Sequence, residues 1–301
     1  MATVVIWPLS GIGAASDGAT PMPRILIADG APSAWQARLS GIGVPSNQTM
    51  FETAIRLHDA DAICVTVNIA DGEMLPAGSA LTDYDAVMLP GSPLHVYDTE
   101  LPVTRQIDFL RAAFATQLPV WGSCWGLQLA TVVLGGSVRG NAQGREFGIA
   151  RRITLTDAGR AHAVLGRRPV AFDALCSHLD EVHTLPPDAQ VLAGNAHSAV
   201  QAMAAPTPGG GGFLGVQYHP EHDLTFSASL MQARADALVD EGLVRDPSAA
   251  RAVAADFHAL HEGGRPDLAS RYGVDDQVLD PRRRTADIGG WLRLVLREEG
   301  R

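Results

Sequence analysis

The chain has 301 residues, 23 basic against 33 acidic, for a net charge of −10, and every basic residue is Arg. With no Lys, Schiff-base and pyridoxal-phosphate chemistry is excluded, as is a phosphate loop of the G-x-x-x-x-G-K-[ST] kind. The acidic balance speaks against nucleic acid as a partner, no apolar run reaches the ~20 residues that span a bilayer, and three cysteines (Cys64, Cys124, Cys176) suit a reducing cytoplasm rather than a disulfide framework.

Residues 1–23, rich in Gly, Ala, Ser and Pro, read as a flexible leader without the basic start of a signal peptide. The run Arg24 to Asp29 predicts a buried strand stopped by Asp29-Gly30. A polar stretch follows, then a helix from about Gln48 to His58 with Phe51 and Ile55 on one face. Strands are expected at Ala62–Val67, Ala86–Leu89 and Pro119–Trp121, a helix at Val103–Thr116, and a buried helix at Gly126–Leu134 ended by Gly135-Gly136. Arg152–Thr156 and Val191–Ala193 read as strands of an antiparallel extension, and Cys176 falls in a loop-like segment. Pro206–Gly212 is a surface loop before the strand Phe213–Tyr218. Beyond Asp223 the pattern turns helical: Asp246-Pro247 opens one helix, ended by Gly263-Gly264, and a last helix runs from about Thr285 to Arg297. Arg282-Arg-Arg284 reads as a solvated face or helix-end charge, and Trp291 with Leu292 and Leu296 as core packing.

This alternation predicts an α/β fold: a doubly wound, mostly parallel open sheet with helices on both faces, plus a C-terminal helical extension. The expected organisation is a main domain over residues 24–224 with residues 225–301 packed on it.

The sharpest feature is Gly122-Ser123-Cys124-Trp125-Gly126 between an apolar strand and an apolar helix. This G-x-nucleophile-x-G form makes a tight turn that lifts the middle side chain out. It places the Cys124 thiol at a helix start, where the dipole favours the thiolate, and aims the Trp125 backbone N–H at an oxyanion. Val216-Gln-Tyr-His219-Pro-Glu221 ends a strand in a His followed by a carboxylate. His219 suits a proton carrier near neutral pH and Glu221 its orienter. Pro90-Gly91-Ser92-Pro93 sits at a strand's carboxyl end, where open sheets carry their sites, and Gly91 can offer a second oxyanion N–H. His219, His222 and Asp223 also have the composition of a metal site; the triad accounts for His219 better, so no metal and no cofactor are expected.

Gly122-Ser-Cys-Trp-Gly-Leu-Gln128 with Val216-Gln-Tyr-His-Pro-Glu221 resembles the class I glutamine amidotransferase family, in particular stand-alone domains similar to the glutaminase part of GMP synthase. The resemblance runs from about Arg24 to Asp223. Pro90-Gly-Ser-Pro-Leu-His-Val-Tyr-Asp98 resembles the family's Gly-Gly-Pro oxyanion segment, with Ser92 in place of the second Gly. Ser177-His178-Leu179-Asp180 resembles its Ser-His-Gly-Asp segment, which lines the glutamine pocket. The resemblance implies Cys124 as nucleophile, His219 as base and acid, Glu221 as orienter, and Gly91 and Trp125 as oxyanion donors. It implies Gln128, Ser92, Ser177, His178 and Asp180 at the substrate, and Leu179, where the family often has Gly, opens a reshaped pocket.

Three functions follow. The first is hydrolysis of glutamine's γ-amide through a Cys124 thioester, with ammonia passed to a separate synthase subunit. The second is a self-contained hydrolase of substituted γ-glutamyl amides in amine catabolism. The third is a non-catalytic regulatory or binding subunit. A cysteine peptidase sharing the elbow is a further relative, but its His normally follows the Cys closely. With neither a phosphate loop nor a Ser-Gly-Gly pyrophosphate loop after Asp223, the chain reads as the amide-cleaving half only. A cytoplasmic location without membrane or nucleic-acid partner is expected, and homo-oligomerisation stays open.

Overall fold

The computed structural model describes residues 22–296. The expected leader lies outside the described residues except for Met22 and Pro23, and so does Arg297 at the end of the last helix.

Eleven strands are formed among the described residues: β1 Arg24–Asp29, β2 Ile63–Asn68, β3 Ala86–Leu89, β4 Val120–Ser123, β5 Ser137–Gly140, β6 Glu146–Leu155, β7 Ala171–His178, β8 Asp180–Thr184, β9 Gln190–Gly194, β10 Ala202–Ala205 and β11 Phe213–Val216. The helices are α1 Ser33–Ser40, α2 Asn47–Arg56, α3 Leu101–Phe114, α4 Trp125–Val133, α5 Asp157–Ala161, α6 Leu224–Ala233, α7 Ala235–Asp240, α8 Pro247–Glu262, α9 Pro266–Tyr272, α10 Asp276–Leu279, α11 Pro281–Arg284 and α12 Ala286–Leu296.

Nine strands make one sheet in the order β2-β1-β3-β4-β11-β10-β9-β6-β7, and β5 with β8 forms a separate ribbon. The strands β2, β1, β3, β4 and β11 run parallel. From β11 onward each added strand is antiparallel to its neighbour, giving the expected extension.

The inner parallel strands β1, β3, β4 and β11 are buried because both faces are covered, whereas the edge strand β2 is half-buried. Along β1, Ile25 and Ile27 point into one core while Leu26 and Ala28 point into the other. The first core is covered by α2 (Phe51, Ala54, Ile55) and α12 (Ile288, Trp291, Leu292), with Trp291 packed 5.8 Å from Trp121. The second is covered by α3 and α4. A third core gathers Leu224, Ala228, Phe257 and Leu260 of the later helices against Leu175 of β7. A buried ion pair ties α12 to the sheet: Arg168 meets Asp287 at 2.8 Å, and the Tyr218 hydroxyl donates to the same carboxylate at 2.7 Å. Tyr218 precedes His219, so this pair also fixes the end of the strand that carries it.

Two readings are corrected and a third is narrowed. The polar stretch after β1 holds the helix α1, invisible to an apolar-stripe search because none of its residues is buried. Cys176 lies buried in β7 and not in a loop. The Arg282–Arg284 run is solvated only in part: all three lie in the last turn of α11, Arg282 and Arg283 are exposed, and Arg284 is buried and donates to the Val278 carbonyl at 2.9 Å.

Candidate active site

The elbow falls where β4 gives way to α4. Cys124 sits at φ 51°, ψ −97°, a left-handed region that costs an L residue roughly 1–3 kcal/mol. Its N–H donates to the Val216 carbonyl of β11 at 2.7 Å, anchoring the strained residue to the neighbouring strand. The flanking glycines are dictated by contact. A Cβ on Gly122 would lie 2.6 Å from the Gly126 carbonyl carbon, and one on Gly126 would lie 2.5 Å from the Leu89 oxygen. Helix and strands can close to this distance only without side chains there.

Because β4 and β11 pair in parallel with Val216 opposite Ser123, the segment after β11 emerges beside the elbow. There His219 Nδ1–H donates to Glu221 Oε1 at 2.7 Å. The other oxygen of Glu221 accepts from the Ser123 hydroxyl at 2.9 Å, and Ser123 accepts from Trp121 Nε1 at 3.0 Å. Cys124 Sγ lies 3.9 Å from the Ser177 carbonyl oxygen. Burial works against the imidazolium, but Glu221 and then Cys124 outweigh it and raise the His219 pKa to about 10. His222 stacks face to face on His219, with ring centres 3.7 Å apart and planes 6° apart. Burial first, then the positive charges of His219 and Arg284, push the pKa of His222 well below its usual value. His222 is thus a neutral plate against a charged ring.

Cys124 lies where two lobes of one cleft meet. The polar lobe is lined by Leu94, His95, Gln128, Arg145, His178, Leu179 and Asp180. The apolar lobe is lined by Trp35, Leu39, Pro45, Phe226 and Leu230, together with His219 and His222. Ser92, Pro93, Cys124, Ser177 and Arg234 border both.

All the residues expected at the site meet here, with differing side-chain engagements. Gly91 lies against the His219 ring; a Cβ on it would sit 2.7 Å from Cε1. Trp125 is the first residue of α4, where a backbone N–H has no intrahelical acceptor. Ser92 braces its loop by donating to the Gly30 carbonyl at 2.8 Å. Gln128 spends its amide on the Asp180 carbonyl and on Gln217, at 3.2 and 3.3 Å. His178 is held at both ring nitrogens, by the Asp180 carbonyl at 3.0 Å and by Glu146 at 2.9 Å. The Asp180 carboxylate faces the cleft and contacts His95 at 2.6 Å and the Tyr97 hydroxyl at 3.2 Å. Leu179 lines the polar lobe, away from the His219 side.

Sequence reasoning missed Ser123, Trp35, Arg145, Arg234 and the pair His95 and Tyr97. A signal existed for two of these elements. Phe226, Leu230 and Arg234 recur every four residues directly after the triad, as do Trp35 and Leu39, which is the spacing of a helix face.

His219, Glu221 and His222 bring ligand-type atoms within 4.8 Å of one another. The third member weighed from sequence is elsewhere: Asp223 caps α6, accepting from the Phe226 N–H at 2.7 Å. His219 Nδ1 is engaged by Glu221, and the two stacked rings lie parallel instead of converging on one point.

A doubly wound sheet with a strained cysteine at its carboxyl edge, paired to a His-Glu dyad, defines a cysteine amidohydrolase of the glutamine amidotransferase type. Residues 46–234 match the family Glutamine amidotransferase class-I, and the chain belongs to it. A γ-glutamyl-L-1-hydroxyisopropylamide hydrolase from Pseudomonas sp. is 32% identical over 279 residues, covering 89% of this chain and 92% of that one. A glutamine-hydrolysing GMP synthase from Thermomicrobium roseum is 32% identical over 176 residues, covering 56% of this chain. The match spans only 28% of that longer protein. A crystal structure of a glutamine amidotransferase from Thermotoga maritima shares the fold with a TM-score of 0.66 at 17% identity, over 93% of this chain and 100% of that one. One from Methylobacillus flagellatus gives 0.63 at 17%, over 93% and 98%. No helix among the described residues is long and apolar enough to cross a membrane.

Proposed function

We propose that the chain hydrolyses γ-glutamyl amides on its own, through a thioester on Cys124. Cys124 Sγ, its proton already carried by His219, bonds to the γ-carbonyl carbon. The backbone N–H groups of Gly91 and Trp125 hold the oxyanion. As the C–N bond breaks, the proton on His219 Nε2 passes to the departing nitrogen and the amine leaves. Water then adds to the acyl carbon and returns a proton to His219. The S–C bond breaks, so one amide and one water yield glutamate and one amine. Glu221 holds the ring through Nδ1, and Ser123 holds Glu221.

In this reading the polar lobe takes the glutamyl end. Asp180 faces its ammonium, and Arg145, the guanidinium that lines this lobe alone, faces its carboxylate. Ser92, Gln128, Ser177 and His178 shape the lobe around it.

The observation that carries a self-contained hydrolase is the length of the match to the γ-glutamyl amide hydrolase, which at 89% of this chain must extend past α8, whereas the GMP synthase match covers about half of this chain. The test is glutamate release by the purified chain from glutamine and from γ-glutamyl-ethylamide without any other protein. Release from the ethylamide is the expected result; release from neither substrate overturns the reading. The GMP synthase relatives support a second reading, ammonia supply to a separate synthase subunit. That reading requires glutamine to be the better substrate and its turnover to rise when a synthase is added.

A further inference from the structure

Resting on the γ-glutamyl amide reading, we infer that the apolar lobe is the seat of the amine substituent and that it selects neutral, apolar substituents over cationic ones.

The direction follows from the proton. The group that protonates a leaving nitrogen must stand within hydrogen-bond reach of it. His219 lines the apolar lobe and is not among the residues lining the polar one. A nitrogen placed to receive that proton therefore projects its substituent between α1 and α6.

The walls fit such a group. Trp35 and Leu39 face the lobe from α1, Phe226 and Leu230 from α6, and Pro45 lies between. Ammonia needs no apolar chamber.

The charges decide which substituents. No acidic residue lines the lobe, whereas Arg234 does. Its guanidinium lies 5.2 Å from the Trp35 ring centre, and that of Arg38 lies at the same distance. The nearby carboxylate of Asp29 sits behind this wall, its oxygens occupied by the Ala31 N–H, Gln36 and Asn47. An ammonium in the lobe would lose water and meet a guanidinium.

The test is a matched pair, γ-glutamyl-n-pentylamide and γ-glutamyl-(4-aminobutyl)amide, which differ in a terminal methyl against a terminal ammonium. The pentylamide should exceed both the aminobutyl amide and glutamine by about tenfold or more in kcat/KM. Leu230→Asp, at the lobe's wall, should reduce the pentyl-to-aminobutyl ratio about tenfold, while Leu230→Met keeps it. Leu39→Asp, on the exposed helix α1, should move the ratio the same way and does not depend on a core residue's tolerance for charge. Equal handling of the pair by the wild-type enzyme, within about twofold, would overturn the lobe assignment and leave the hydrolase reading standing. An unchanged ratio in both folded Asp variants would do the same. Failure to release glutamate from any γ-glutamyl amide would instead remove the hydrolase reading, and this inference with it.

Discussion

The two lobes that meet at Cys124 are built from different material. The polar lobe is lined mainly by the end of β7, the turn into β8, the first turn of α4 and the loop after β3, seated on or beside the sheet, with Arg234 at the end of α6 bordering it. The apolar lobe owes its apolar walls to α1 and α6, helices that contribute no strand partner and lie at the cleft's rim. Sheet-borne groups are fixed by backbone pairing, whereas rim helices can change without disturbing the strands. The comparison separates chemistry, carried by the sheet edge, from choice of amine, carried by the helices.

The largest effect should come from the sheet edge itself. Cys124→Ala should reduce glutamate release by about 10⁴-fold or more with every amide alike. Far-UV circular dichroism should stay unchanged, because the small side chain keeps the elbow's backbone. Residual turnover that still distinguished one amide from another by more than binding allows would break the single-nucleophile account.

Glu221→Gln should follow, with a loss of about 10²–10⁴-fold in kcat. It also carries a pH signature with a definite sign. His219 is pushed down by burial and raised above that by Glu221 and Cys124, to about 10, so it holds its proton at neutral pH and loses it as pH rises through that value. The basic limb of kcat/KM in the wild type should therefore lie near pH 10, and in Glu221→Gln it should move to lower pH. A limb that does not move would remove Glu221 from its proposed part.

Asp180→Asn tests the polar lobe. With the carboxylate gone, KM should rise about 10- to 100-fold for glutamine and for substituted amides by the same factor, since the glutamyl end is common to all. A factor that differs between amides would mean that the lobes are not separable in the way their walls suggest.

The contrast also marks what a sequence reveals. The strands β1 and β3 are legible because their apolar runs are uninterrupted and are stopped by Asp29-Gly30 and Pro90-Gly91. The elbow is legible because Gly122 and Gly126 are spaced for a contact that only glycine permits. Ser123 was passed over as the variable residue of the motif; its bond to Glu221 joins residues 98 apart and exists only once β4 and β11 pair. His95 and Tyr97 reach Asp180 across a similar gap, 85 and 83 residues. The helix α1 escaped because its residues make no buried stripe. Its only signature, Trp35 and Leu39 four apart, looks like surface until the facing stripe of α6 is in place. Local pattern records what a segment buries within its own domain, and a substrate wall buries nothing until the substrate arrives.

The smallest effect should appear at α1, and it is the most specific to the comparison. This helix is held by polar contacts. Gln36 donates to Asp29 at 3.0 Å and to the Ala31 carbonyl at 2.9 Å, and the Ser33 N–H donates to Asp71 at 3.0 Å. Gln36→Ala removes the first two, each worth about 1 kcal/mol net. It also leaves an oxygen of the buried Asp29, whose carboxyl burial already pushes upward in pKa, without its amide partner. The wall carrying Trp35 and Leu39 should loosen while the triad, anchored on β4 and β11, stays in register. KM for a pentylamide should then rise a few-fold, about 2- to 10-fold, with kcat held, and glutamine, which puts no substituent against that wall, should lose less. An equal rise in KM for both substrates would place α1 in the common glutamyl site and join the two lobes into one.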